Sequence, residues 1–201
     1  MDYLTDYTEL HCLSCYSFLR GASRPEELVA QAAAQGYAGI AITDESSLAG
    51  VVKAHVAAKE HAIALIVGSE FTLTEGIHIV LAPNRAAYAE LAGGISLGRR
   101  RCPKGEYELA LRDLIFHLKR CLLVWLPEEN SEANRGFGRQ LARLCKNRVW
   151  LGVHYLLGND ELRRYRELQT LGAVLNLPLV ACGDVQMHCA GRKPLHDVFT
   201  A

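Results

Sequence analysis

The stretch that decides the fold is GIAITDESSLAGVVKAHVAAKEHAIALIVGSE, residues 39–70. It opens with an apolar run of strand length, residues 39–43, and closes with a second such run, residues 62–67. Between the two runs, apolar residues recur at helical spacing over residues 48–56. A strand, a helix and a strand in this order predict a βαβ unit, and therefore a parallel sheet.

The same alternation continues in both directions along the chain. Further strands are predicted at residues 7–10, 77–81, 121–126, 149–155 and 177–181. Further helices are predicted at residues 85–92, 108–119, 134–146 and 159–175, and from a capping box at Ser23 to a stop at Gly36. Asp44, Ser46 or Ser47 is expected to cap the helix of the central unit. Seven such units favour an α/β fold of TIM-barrel-like type, a distorted seven-stranded βα barrel, in one domain over residues 1–201 with a flexible start at residues 1–6.

Acidic and histidine side chains follow several of the predicted strands. His11 follows the first strand, Asp44 and Glu45 the second, Glu70 the third and Asp184 the last. In a βα barrel, the residues that follow the strands meet at the carboxy-terminal face, which carries the active site. Because imidazoles and carboxylates bind divalent cations, the pattern predicts metal-capable side chains at the mouth of the barrel.

Composition narrows the classes of function. Acidic and basic residues balance at 22 each, so the chain has no overall field that would hold a polyanion. A local basic cluster of Arg99, Arg100, Arg101 and Lys104 falls in a predicted loop, residues 93–107, and is either a solvated loop or a contact with DNA or a partner. Seven cysteines without paired spacing indicate free thiols in a reducing compartment. No apolar run approaches the roughly 20 residues that span a bilayer, so we expect a cytoplasmic chain without membrane contact.

Five segments of the chain carry a family resemblance. They are TELHCLSCYSFLRGAS (8–23), ITDESSLAGVVKAH (42–55), VGSEFTL (67–73), HIVLAPNRAAYAEL (78–91) and LPLVACGDVQMHCAGRKPLHDVFTA (177–201). In this order they resemble PHP domains, and more narrowly the PHP domain that opens bacterial error-prone DNA polymerases of the replicative C family. The segment ISLGRRRCPKG (95–105) fits that subfamily. The resemblance implies a barrel that holds up to three divalent metals. Active members hydrolyse phosphoesters, and some replicative polymerases use the site as a proofreading exonuclease.

The resemblance assigns ligand positions residue by residue. The retained ligands are His11, Glu70, His78 and Asp184, with Glu45 standing where the family has a histidine. The lost ligand positions are Leu13, Trp125 and Gln186. His188 is a candidate to replace the histidine lost at Gln186. The resemblance therefore implies no catalytic residue in this domain and no firmly held cofactor, although His11, Glu70 and Asp184 could hold one zinc or manganese ion. Magnesium would serve the parent polymerase.

Three functions remain open at this point. The first is a non-catalytic structural and interaction module of a translesion polymerase, which would contact the rest of that polymerase and, through it, mutasome accessory proteins, the sliding clamp and DNA. The second is a residual metal-dependent 3′–5′ exonuclease or phosphoesterase. The third is a free-standing enzyme of the histidinol-phosphatase type. A helix that starts at Pro194 and stops at Ala201 without a cap favours a domain cut from a longer chain over the third function.

Overall fold

The computed structural model describes residues 7–127, 130–154 and 160–201, so the predicted flexible start and the predicted element ends at Tyr155 and Asn159 lie outside the described residues. The chain divides into two compact units, Met1–Ser69 with Gly183–Ala201, and Glu70–Cys182. The strands are β1 (Thr8–Glu9), β2 (Gly39–Ile42), β3 (Ala64–Leu73), β4 (Gly76–Ala82), β5 (Leu122–Leu126), β6 (Val149–Val153) and β7 (Leu179–Ala181). The helices are α1 (Pro25–Ala34), α2 (Val51–Glu60), α3 (Arg85–Arg100), α4 (Leu111–Phe116), α5 (Glu132–Leu144), α6 (Glu161–Leu175) and α7 (Lys193–Thr200), with a 3-10 turn at Ala190–Arg192.

All seven predicted strands are present, and their order follows the sequence from β1 to β7. In the first unit β1 pairs with β2 and β2 with β3, both parallel. In the second unit β5 pairs with β6 and β6 with β7, also parallel, whereas β4 pairs antiparallel with β5. The prediction of a mostly parallel sheet is therefore confirmed, with β4 as a reversed strand.

The reversal of β4 comes from a connection that contains no helix. Strand β3 continues to Leu73, six residues beyond its predicted end, and a two-residue turn leads into β4. A connection of two residues can join antiparallel strands only, since parallel strands need a crossover of a dozen residues or more. Gly76 completes the turn at a φ of +108°, where a Cβ atom would lie 2.5 Å from the carbonyl oxygen of Leu126. The turn therefore requires glycine at this position.

The first unit packs α1 and α2 against β2, all four residues of which are buried. Two predicted helix starts are wrong. Helix α1 begins at Pro25 with Arg24 as its N-cap, whose amide donates to the carboxylate of Glu27 at 2.8 Å. Helix α2 begins at Val51 with Gly50 as its N-cap, so neither Asp44 nor the following serines cap it. These polar side chains are used elsewhere in the unit.

The second unit has its largest buried side chain at Trp125 in β5, which packs against Phe137 of α5 with ring centroids 5.4 Å apart. Helix α5 passes close to this ring at Gly138, where a Cβ atom would lie 2.8 Å from the indole. The predicted loop at residues 93–107 is wrong in its first half, because α3 extends to Arg100. The glycines in this segment indicated a loop in the sequence, because glycine disfavours helices. In the structure Gly94 and Gly98 lie within the helix, where they are buried and allow close contact with Leu118 and Leu109.

Candidate functional site

Two of the predicted metal ligands, His11 and Asp184, lie together in the first unit. The Nε2 atom of His11 is 3.8 Å from Oδ1 of Asp184. A parallel bridge between Cys12 and Val185 holds the two segments side by side, with the amide of Val185 donating to the carbonyl of His11. His11 is fully buried, and Oδ1 of Asp184 is buried and accepts no hydrogen bond from the described part of the chain. The pair therefore presents one uncompensated carboxylate oxygen beside an imidazole.

Gln186, at a position predicted as a lost ligand, makes hydrogen bonds with Asp184 and with the last helix. Its amide nitrogen donates to Oδ2 of Asp184 at 3.3 Å, and its Oε1 lies 2.6 Å from Nε2 of His196 in α7. Glutamine is thus a hydrogen-bonding link between Asp184 and the last helix, in a position where the family resemblance expects a metal-binding histidine.

Glu9 is a buried acid that the sequence analysis missed. Its Oε1 accepts hydrogen bonds from the amides of His11 and Gly183, each at 2.8 Å, and its Oε2 accepts one from the hydroxyl of Tyr7 at 2.9 Å. Glu9 therefore ties β1 to the segment that carries Asp184. The signal in the sequence was an acid inside a short strand, two residues before His11. It was missed because Glu9 was treated only as a residue of the predicted strand.

Asp44 is the centre of a second polar cluster in the same unit. Its carboxylate accepts hydrogen bonds from the amide of Ser14 at 2.8 Å and from the hydroxyls of Ser14 and Ser17 at 2.7 Å each. Burial raises the pKa of Asp44, and the hydrogen bonds from the two serines oppose this shift. Beside it, Glu45 accepts a hydrogen bond from Arg20 at 2.9 Å. Both acids are therefore bound by protein donors.

His78 and Glu70 lie in the second unit. Glu70 is fully buried inside β3, not after its end as predicted. His78, the third residue of β4, is fully buried with its Nδ1 3.0 Å from the carbonyl of Gly76 and its ring edge-on to Phe137. Burial lowers the pKa of His78 to about 4, with the Gly76 contact opposing. The ring is therefore neutral at pH 7, with Nδ1–H donated to Gly76 and an electron pair left on Nε2, which has no hydrogen-bond partner among the described residues.

Two positions that the sequence analysis predicts as lost ligands carry core side chains. Leu13 and Trp125 are each fully buried. Trp125 lies within β5, and its indole N–H donates to the carbonyl of Glu75 at 2.8 Å. Neither side chain has an atom that binds a divalent metal. Both contribute packing where the family resemblance expects ligands.

The donor set in the first unit does not fit the family's metal centre. His11 and Asp184 supply two ligands, whereas a catalytic zinc site takes three from the protein. Among residues 7–127, 130–154 and 160–201, no group of three or more histidine, cysteine, aspartate or glutamate side chains is arranged to hold a metal ion. Ligation by the full predicted set, His11, Glu45, Glu70, His78 and Asp184, stays a prediction.

Two arginines of the basic cluster make contacts within the chain. Arg101 forms a two-pronged ion pair with the buried carboxylate of Asp113, at 2.6 and 2.9 Å, which holds the pKa of Asp113 below its usual range. Arg99 lies over the ring of Tyr107, 5.8 Å from its centroid. A contact of this cluster with DNA or a partner stays a prediction, and it concerns Arg100 and Lys104 more than the two engaged arginines.

Comparisons with known proteins identify the family of this chain. Residues 9–124 match the family model described as PHP domain, so the chain belongs to the PHP domain family. It is 52% identical over 196 residues to an error-prone DNA polymerase of Saccharophagus degradans, and 51% identical over 197 residues to one of Methylococcus capsulatus. Each alignment covers 97% of this chain and 19% of the relative, so the chain spans about a fifth of the length of the curated relatives it matches.

Solved structures support the fold class. An amidohydrolase from Chromobacterium violaceum aligns with a TM-score of 0.61 at 16% identity, over 90% of this chain and 87% of that one. A two-domain protein from Bacteroides vulgatus, described as containing a predicted PHP-like metal-dependent phosphoesterase, aligns with a TM-score of 0.58 at 14% identity, over 90% of this chain and 52% of that one. The predicted α/β fold of seven strands and PHP type is confirmed. In the part of the chain that the structure describes, no helix is both long enough and apolar enough to cross a membrane.

Proposed function

We propose that this chain is the amino-terminal PHP domain of an error-prone DNA polymerase that acts in damage-induced translesion synthesis, and that the domain itself is a non-catalytic structural and interaction module. The parent would be the nucleotidyl transferase and would use magnesium. Identity of about 50% to error-prone polymerases along 97% of the chain supports the first half of the proposal.

The observation that carries the second half is the chemistry at the former ligand positions. Leu13 and Trp125 are fully buried. Trp125 packs on Phe137, and its N–H donates to the backbone carbonyl of Glu75. A buried tryptophan contributes several kcal/mol to folding, so this position now serves stability and offers no ligand. Gln186 likewise uses its amide to hold Asp184 and His196.

Two buried acids, Glu9 and Asp44, connect separate chain segments through hydrogen bonds. Glu9 joins β1 to the segment after β7 through the amide of Gly183, and Asp44 fixes the loop of Ser14 and Ser17. Hydrogen bonds to a buried carboxylate contribute about 1.5–3 kcal/mol each when one partner is charged. In this proposal Glu9 and Asp44 stabilise the fold of the first unit, and no proton or phosphoryl transfer is assigned to them.

The proposed partners are the rest of the parent polypeptide and, through it, mutasome accessory proteins, the sliding clamp and DNA in the cytoplasm. In the full-length polymerase, Asp184→Asn should leave primer extension past a template lesion within about twofold of the parent, since asparagine tolerates the left-handed φ of +50° at this position. Trp125→Ala should instead lower the yield of active polymerase. Loss of synthesis in Asp184→Asn, with the protein still folded, would argue against a purely structural role.

A second candidate, a residual metal-dependent exonuclease or phosphoesterase, is favoured by one observation. Oδ1 of Asp184, in the first unit, is buried without a hydrogen-bond partner among the described residues, as expected of an atom that binds a metal ion. Elemental analysis of the purified chain against a chelator-treated control tests it. Zinc or manganese near one equivalent, removed by the chelator and lowered by Asp184→Asn, would favour this candidate.

A further inference from the structure

A histidine–cysteine pair with a supporting hydroxyl lies just before the 3-10 turn, outside the polar clusters described above. The Sγ atom of Cys189 is 3.3 Å from Nε2 of His188, and Nδ1 of His188 is 2.7 Å from the hydroxyl of Ser23. The amide of His188 also donates to the same hydroxyl at 2.9 Å. Cys189 is exposed, whereas Ser23 is buried. His188 is thus oriented by Ser23 and turned towards an accessible thiol.

A negative charge lies on the far side of the imidazole. Oε2 of Glu27 is 3.9 Å from Nδ1 of His188. Burial raises the pKa of Glu27. The hydrogen bonds from the Arg24 amide and from Arg192 outweigh burial and hold this pKa below its usual value. The carboxylate is therefore ionised at neutral pH and lies beside the imidazole of His188.

These contacts reproduce the arrangement of an activated nucleophile: a thiol, a base within hydrogen-bond reach, and a third group that orients the base. We propose that Cys189 is a modification site that forms mixed disulfides with low-molecular-weight disulfides, with His188 as its base. The thiol proton passes from Sγ to Nε2 of His188. The thiolate then attacks one sulfur of the disulfide, a new S–S bond forms to Cys189, and the other sulfur leaves as a thiolate that can take the proton from His188. No net oxidant beyond the disulfide is needed.

The other cysteines lack this combination. Cys12, Cys121, Cys145 and Cys182 are buried, and burial raises the pKa of the first three. Cys15 is half-buried, and burial together with the charge of Asp44 raises its pKa. Cys102 is also half-buried, and no histidine contact to it is described, so it provides an internal control in the same molecule.

The test uses the 201-residue chain and oxidised glutathione, with the adduct at each cysteine quantified over time by peptide mass spectrometry. Cys189 should react about tenfold faster than Cys102, because the thiolate is the reacting form and only Cys189 has a base beside it. In His188→Gln the rate at Cys189 should fall about fivefold or more, while the rate at Cys102 stays unchanged. Glu27→Gln, which keeps both His188 and Ser23, should lower the rate at Cys189 in the same direction by a smaller factor.

Equal rates at Cys189 in the parent and in both variants would overturn the proposal, because Cys189 would then react only through its exposure. A parallel fall at Cys102 would also overturn it, since the change would reflect altered folding and not the loss of a base. Both outcomes leave the proposed role in a polymerase untouched, because no step of that role uses Cys189.

Discussion

Nε2 of His11 lies 3.8 Å from Oδ1 of Asp184, and this contact joins the segment after β1 to the segment after β7. In a working metal centre the two atoms would share an ion with at least one more protein ligand. Here the neighbouring position is Leu13, and the residue that touches Asp184 from the other side is Gln186. The pair therefore lies between an apolar side chain and a hydrogen-bonding one, at positions where the family resemblance expects ligands.

Replacement of Glu9 tests whether the hydrogen bonds of a buried acid stabilise the fold. Glu9→Gln keeps the volume but puts an amide group where the carboxylate accepts the amide hydrogens of His11 and Gly183. We expect the free energy of unfolding to fall by about 1–3 kcal/mol, measured by urea denaturation. Glu60→Gln, at an exposed position at the end of α2, should change it by less than about 0.5 kcal/mol. Equal effects of the two variants would remove the role assigned to Glu9.

Trp125 tests whether a position predicted as a lost ligand contributes to packing. Trp125→Ala should lower the free energy of unfolding by about 3–5 kcal/mol, because it removes the ring that packs against Phe137 and opens a cavity. Phe116→Ala is the matched aromatic control, since Phe116 is 65% exposed and should cost little. A small cost for Trp125→Ala would mean that the position is loosely packed and that the account of the lost ligand is wrong.

His78 predicts a pH dependence of stability. Its pKa in the folded chain is about 4, below the unperturbed value of about 6.5, so the folded state binds fewer protons than the unfolded state. The stability that this difference provides is complete above pH 6.5 and is lost as the pH falls towards 4, by about 3 kcal/mol in all. His78→Asn should remove this contribution, so parent and variant should differ in slope between pH 6.5 and 4 in urea melts. Identical slopes would contradict a buried neutral histidine.

The sequence was sufficient for the seven strands because each is a short apolar run, and a buried strand needs little else. It was insufficient for the helix start at Asp44, since an acid before a helical pattern has the same appearance whether it caps the helix or binds distant serines. Only the fold brings Ser14 and Ser17 to Asp44. The same holds for Glu9, whose partner Gly183 lies 174 positions away. Local patterns predict elements, whereas partners of buried polar groups depend on tertiary contacts.

A double substitution to histidine at two predicted lost ligand positions tests whether the first unit can bind a metal ion. In Leu13→His with Gln186→His, an imidazole enters a fully buried apolar position and the link from Gln186 to His196 is lost. We expect the metal-free double variant to unfold several degrees below the parent in thermal melts, and zinc to recover only part of the loss. A variant as stable as the parent without metal, and strongly stabilised by zinc, would show a nearly intact cradle.

The most direct test of the central claim, that this PHP domain is non-catalytic, is a turnover measurement on the purified chain. Release of phosphate from a generic phosphomonoester and shortening of a labelled DNA 3′ end are followed with added manganese or zinc, with Asp184→Asn as the matched control. The account predicts rates at background for both proteins, because Leu13, Trp125 and Gln186 stand where the family resemblance expects metal-binding side chains. Metal-dependent turnover by the parent that disappears in Asp184→Asn would contradict it.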